Sequence, residues 1–102
     1  MLLLKFSVAK MSEEVFSVEL EIQNRKGLHA RAAAAFVKTI ENIDAKVEVE
    51  RMGQTVSGDS IMGLMMLAAS KGTTVKVSAS GREASVAIAK LTELINSKFG
   101  ED

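Results

Sequence analysis

The chain contains no cysteine, no proline, no tryptophan and no tyrosine, and it has a single histidine. Without cysteine, disulfide cross-links and thiol nucleophiles are excluded, and the residues carry no record of redox compartment. One histidine without a thiol suits zinc poorly, and no calcium-loop spacing occurs, so neither a metal nor a cofactor is expected. Four phenylalanines are the whole aromatic complement, too few for a base-stacking surface. Neither sign of charge dominates: thirteen basic and thirteen acidic residues cancel. No broad field therefore draws nucleic acid or an anionic membrane to this chain. The opening run Met1-Leu2-Leu3-Leu4 is broken by Lys5 and Lys10. It is too short to span a bilayer and lacks the basic start of a signal peptide. Met11-Ser12-Glu13-Glu14 reads as a natural start. Residues 1–12 are accordingly expected as a flexible extension, residues 13–102 as one domain, and the cytoplasm as the location.

What is present is ordinary globular material, 47% hydrophobic and 25% charged over 102 residues, enough for one modest core. Val15 to Ile22 alternates, with Phe16, Val18, Leu20 and Ile22 on one side, as a half-buried strand does. Ala33, Phe36, Val37 and Ile40 recur at helical spacing, and that helix should fail near Asn42 to Asp44. Lys46 to Met52 alternates again. Gly53-Gln54 then suits a hairpin turn, with Thr55 to Ser57 as the returning strand. Ser60 offers an N-cap for a helix from Ile61 to Ser70, stopped by Lys71-Gly72. Thr74 to Ala79 is a fourth alternating strand. Ser80-Gly81-Arg82-Glu83 has capping-box spacing before a last helix from Ala84 to Ser97. The order β-α-β-β-α-β-α gives a sheet with one wet face and one covered by helices, a two-layer sandwich.

Two segments stand apart. Asn24-Arg25-Lys26-Gly27-Leu28-His29-Ala30-Arg31 puts the only imidazole just beyond a glycine turn and just before an alanine-rich helix. Helix N-termini offer unpaired N–H groups and a positive dipole end, which suits a phosphoryl group. Against this, a lone histidine is more often an ordinary surface or capping residue. Ser60-Ile61-Met62-Gly63-Leu64-Met65-Met66-Leu67 is apolar nearly all round, although a helix on a one-sided sheet needs only a stripe. Exposed methionines re-pack against varied partners, but periodicity alone favours the core for them. It also favours a plain cap for Ser60 and a turn-forming role for Asn24.

Together, Gly27-Leu28-His29-Ala30-Arg31 and Ser60-Ile61-Met62-Gly63, in this order and separation, resemble the HPr family of bacterial phosphotransferase-system phosphocarriers. The likeness covers about residues 15 to 97, and Asn96-Ser97-Lys98-Phe99 resembles the nitrogen-related branch called NPr. The resemblance implies an α+β open-faced sandwich, a four-stranded antiparallel sheet with three helices on one face. It implies that His29 takes a phosphoryl group on Nδ1 from phospho-enzyme I and passes it to a histidine of an EIIA domain. By the same likeness Arg31 neutralises phosphate oxygens, the Ala30 N–H helps to cradle them, and Asn24 and Gly27 shape the turn. Ser60 matches the serine modified by HPr kinase/phosphorylase in species that have it, and Ile61, Met62 and Met65 match the family's docking patch. The chain is expected to act as a monomeric carrier rather than a true enzyme, with no nucleic acid and no stable membrane association. One departure is Ala32, where the family usually has proline; it leaves an extra N–H in the first helical turn. It fits an alternative in which the output is regulatory signalling rather than sugar uptake. A non-transferring docking or small-ligand module on the same sandwich is the alternative of another class.

Overall fold

The computed structural model describes residues 14–101; the expected extension over residues 1–12 lies outside them. Four strands, β1 (Val15–Glu21), β2 (Lys46–Arg51), β3 (Gln54–Ser57) and β4 (Thr74–Ser80), and three helices, α1 (Ala30–Ile40), α2 (Ile61–Met66) and α3 (Ala84–Asn96), follow in the order β1-α1-β2-β3-α2-β4-α3. The sheet order is β1-β4-β2-β3, and every adjacent pair is antiparallel.

Alternation sets the register. Val18, Val77, Val49 and Val56 line up across all four strands, flanked by the row Phe16, Ala79 and Val47 and by the pair Leu20 and Val75. These side chains share one face because strand side chains alternate with a period of two. Facing them are Phe36 of α1, Leu64 of α2, and Leu91 and Ile95 of α3, all fully buried. On the other face Lys76 lies between Glu19 and Glu50, a charge pattern that suits a wet surface.

Three local expectations are corrected. The hairpin turn is Met52-Gly53, both in the left-handed region (φ 50 and 82), with Gln54 already paired to Arg51 in β3. That turn type needs positive φ at both central residues, and the shift keeps Val49 opposite Val56. Helix α2 ends at Met66 rather than Ser70, because Ala68 adopts φ 52 and turns the chain away. The capping box before α3 does not form: Ser80 stays in β4, and the N-cap is Glu83. Glu83 instead accepts a hydrogen bond from the Asp44 N–H at 2.8 Å, beside an exposed ion pair of Arg82 with Asp44.

Candidate functional site

The chain leaves β1 through Ile22, whose N–H donates to the Thr73 carbonyl at 2.9 Å, and then folds into a tight turn. The Gly27 N–H donates to the Asn24 carbonyl (3.1 Å) and the His29 N–H to the Gly27 carbonyl (2.9 Å). Gly27 has φ +67, and a Cβ there would stand 2.4 Å from the Ala69 carbonyl oxygen. Only glycine meets both the conformation and the close approach. The approach lets the Leu28 N–H donate to that same Ala69 carbonyl at 2.9 Å while the Leu28 side chain is buried. The early end of α2 thus has a use: it delivers Ala69 to the turn that carries His29.

His29 is the N-cap of α1, in extended backbone, and its side chain makes no capping bond. The Ala33 N–H reaches the His29 carbonyl; the N–H groups of Ala30, Arg31 and Ala32 lie in the first turn, where intrahelical partners run out. Alanine rather than proline at 32 leaves the third of these donors in place, with its methyl buried. The imidazole therefore sits beside a bundle of free donors and the positive end of an 11-residue helix.

The ring is held from the far end of the chain. After α3, Lys98, Phe99 and Gly100 take φ 60, 56 and 75, a left-handed turn that reverses the backbone. Glu101 follows in extended conformation. Its carboxylate lies 2.9 Å and 3.0 Å, by its two oxygens, from His29 Nε2. A carboxylate only accepts, so Nε2 carries the hydrogen and donates it. The Asn24 Nδ2 group donates to Glu101 Oε1 at 3.0 Å and to the Gly27 carbonyl at 2.7 Å. Asn24 is fully buried, and its Oδ1 has no partner among the described residues. The Asn24 and His29 hydrogen bonds hold the Glu101 carboxyl below the ordinary carboxylate range, and attraction to His29 and Arg31 adds to this; burial opposes it.

With Nε2 engaged, Nδ1 is the nitrogen left free, and it makes no hydrogen bond among the described residues. An open cleft of about 390 Å³ adjoins the ring, lined by Arg25, Lys26, His29, Ala30, Arg31 and Glu101. Three cations around a helix N-terminus make an anion-binding site. The sequence reading placed His29, Ala30 and Arg31 there; it did not include Arg25, Lys26 or Glu101. The two cations were visible beside the glycine, whereas nothing periodic signals a contact across 72 positions.

Ser60 is the N-cap of α2, its Oγ accepting from the Gly63 N–H at 2.9 Å. Ile61, Met62, Met65 and Met66 are exposed, Met62 to 73%, and Leu64 alone of the helix is buried. The structure therefore leaves Met66 outside the core as well. The segment after α2 closes on the histidine turn, where Ala68, Ala69 and Ser70 share a shallow cleft with Lys26, Leu28 and His29. Among the described residues no helix is long and apolar enough to cross a membrane, and no cluster of three or more metal-ligating side chains occurs.

Residues 16–97 match the family model described as "PTS HPr component phosphorylation site". The phosphocarrier protein HPr of Neisseria meningitidis serogroup A is 46% identical over 82 residues, covering 80% of this chain and 92% of that protein. Phosphocarrier protein HPr of Pseudomonas putida is 48% identical over 84 residues, 81% of this chain and 93% of that one. The crystal structure of HPr-C-His from Thermoanaerobacter tengcongensis superposes with a TM-score of 0.82 at 46% identity, covering 85% of this chain and 98% of the other.

Proposed function

Because the chain belongs to the HPr family, the phosphocarriers of the bacterial phosphotransferase system, we propose that His29 is its phosphoryl-carrying residue. In this reading His29 accepts the group on Nδ1 from phospho-enzyme I and surrenders it to an EIIA domain in the cytoplasm. The observation that carries it is the state of the ring: Nε2 is occupied by Glu101, and Nδ1 is free beside a cationic cleft at the start of α1.

A neutral imidazole is a competent nucleophile near neutral pH. Phosphoryl transfer asks mainly for alignment and charge neutralisation. Arg31 on the first turn of α1 supplies charge, and the N–H groups of Ala30 and Arg31 supply donors that need no reorganisation. Arg25 and Lys26 extend the same field. Ile61, Met62 and Met65 form a small apolar surface beyond the Ala69 contact, of the size that suits a transient complex. Phosphate on the Ser60 hydroxyl, the proposed target of HPr kinase/phosphorylase, would place roughly two negative charges beside that surface. Docking to acidic partners would weaken, while α2 itself would persist, since the charge sits at the favourable end of the helix.

The test is incubation of the chain with phosphoenolpyruvate and enzyme I, followed by assay for acid-labile phosphate. Label is expected in the parent and absent in His29→Ala. A parent that takes no label, or a His29→Ala chain that keeps it, overturns the reading. Ala32 favours a second reading, in which the phosphorylated chain serves regulation rather than sugar import. Preference for a regulatory over a transporter EIIA in the same assay would support it.

A further inference from the structure

We infer that Glu101 is a positioning residue and counter-ion for His29: it holds the Nε2 proton in place while Nδ1 gains and loses phosphate. The inference rests on the reading that His29 is phosphorylated on Nδ1. Its own support is geometric. Both Glu101 oxygens meet Nε2, at 2.9 and 3.0 Å. The carboxylate is braced by the buried amide of Asn24, which is in turn fixed to the Gly27 carbonyl. The pair is partly shielded, with 28% of the His29 side chain and 19% of the Glu101 side chain exposed. Glu101 is thus tied to the same turn that sets the backbone of His29, so ring and carboxylate move as a unit.

The chemistry gives this contact a purpose. The Nδ1 lone pair forms the new bond to phosphorus as the bond from phosphorus to the donor's leaving atom breaks, its electron pair departing with the donor. The Nε2 hydrogen stays where it is, so the ring emerges as a phosphorylated imidazolium bearing one positive charge. In the onward step the N–P electron pair returns to Nδ1, and a neutral imidazole leaves. Had Nε2 lost its proton, the leaving group would be an imidazolate, which is far poorer. Every other charged group facing the ring works against the proton: Arg31 on α1, and Arg25 and Lys26 on the preceding loop. The Ala68–Ser70 segment on the other side brings no titratable group. Glu101 is the one anion among the cleft residues, and it sits on the nitrogen that must stay protonated. The arrangement parallels an acid–histidine pair in which the acid stabilises the imidazolium without taking its proton.

The experiment phosphorylates the full chain with potassium phosphoramidate, which needs no enzyme I, and follows the phosphohistidine by 31P and 15N NMR through a pH titration. The parent adduct is expected on Nδ1. In Glu101→Ala the pH at which phosphorylated His29 loses its Nε2 proton should fall by about one unit, a tenfold change in proton affinity. Glu101→Gln, of the same shape without charge, should fall as far, and Glu101→Asp should recover part of the difference. A role in folding alone would not move this midpoint. The inference is overturned if Glu101→Ala or Glu101→Gln keeps the parental midpoint, if the parent is modified on Nε2, or if it takes no phosphate. Should the midpoint shift as expected while enzyme I fails to label the parent, the counter-ion stands and the carrier reading falls.

Discussion

At the scale of single residues, the site turns on two residues, Asn24 and Gly27, that hold the histidine loop. Asn24 satisfies both the Gly27 carbonyl and Glu101 while fully buried. Asn24→Ala removes both donors and should destabilise the chain by about 1–3 kcal/mol, read as a lower midpoint in urea unfolding. Gly27→Ala forces a methyl against the Ala69 carbonyl and a non-glycine residue into φ +67. A loss exceeding about 2 kcal/mol is expected, with the Leu28–Ala69 hydrogen bond lost to hydrogen exchange. His29 and Arg31 were legible because the glycine, the imidazole and the helix start lie within a few positions of one another. Asn24 was legible as a turn former, but its second bond was not. Glu101 was invisible, since its partner lies 72 positions away and no short-range rule connects them.

Among the elements, alternation located all four strands, because a sheet wet on one face shows its period of two directly. Their ends were less legible. Helix α2 is a single short stretch whose length is set by Ala68 turning toward Leu28, a tertiary demand that helix propensity does not contain. The box at Ser80 to Glu83 satisfied a local pattern, yet β4 claimed Ser80 for pairing with β1 and β2. A short helix depends on its cap. Ser60→Ala, which removes the acceptor of the Gly63 N–H, should cost about 1 kcal/mol in denaturant-monitored stability. Met62→Gln on the exposed side of the same helix should change stability by no more than about 0.5 kcal/mol. It should instead raise the KM for phosphoryl transfer from enzyme I, and an unchanged KM would remove Met62 from the docking surface.

For the whole molecule, the sheet brings the β1–α1 turn, the end of α2 and the end of α3 to one place, and composition told only what that place was not. The Glu101 carboxyl is held below the ordinary range chiefly by Asn24 and then by His29. A depressed carboxylate stabilises the fold above its unfolded value and loses that contribution as pH falls through its folded value. The part of the stability gap between the parent and Glu101→Gln that comes from this carboxyl should therefore close on acidification below the ordinary carboxylate range. Urea unfolding at a series of pH values checks this. The left-handed turn at Lys98 to Gly100 also has a temporal side. Contact between positions 29 and 101 closes a loop that contains three of the four strands and all three helices, so a contact of such long range is expected to form late in folding. Replacing Glu101, which lies outside the hydrophobic core, would therefore leave the packed layers in place around an unescorted imidazole.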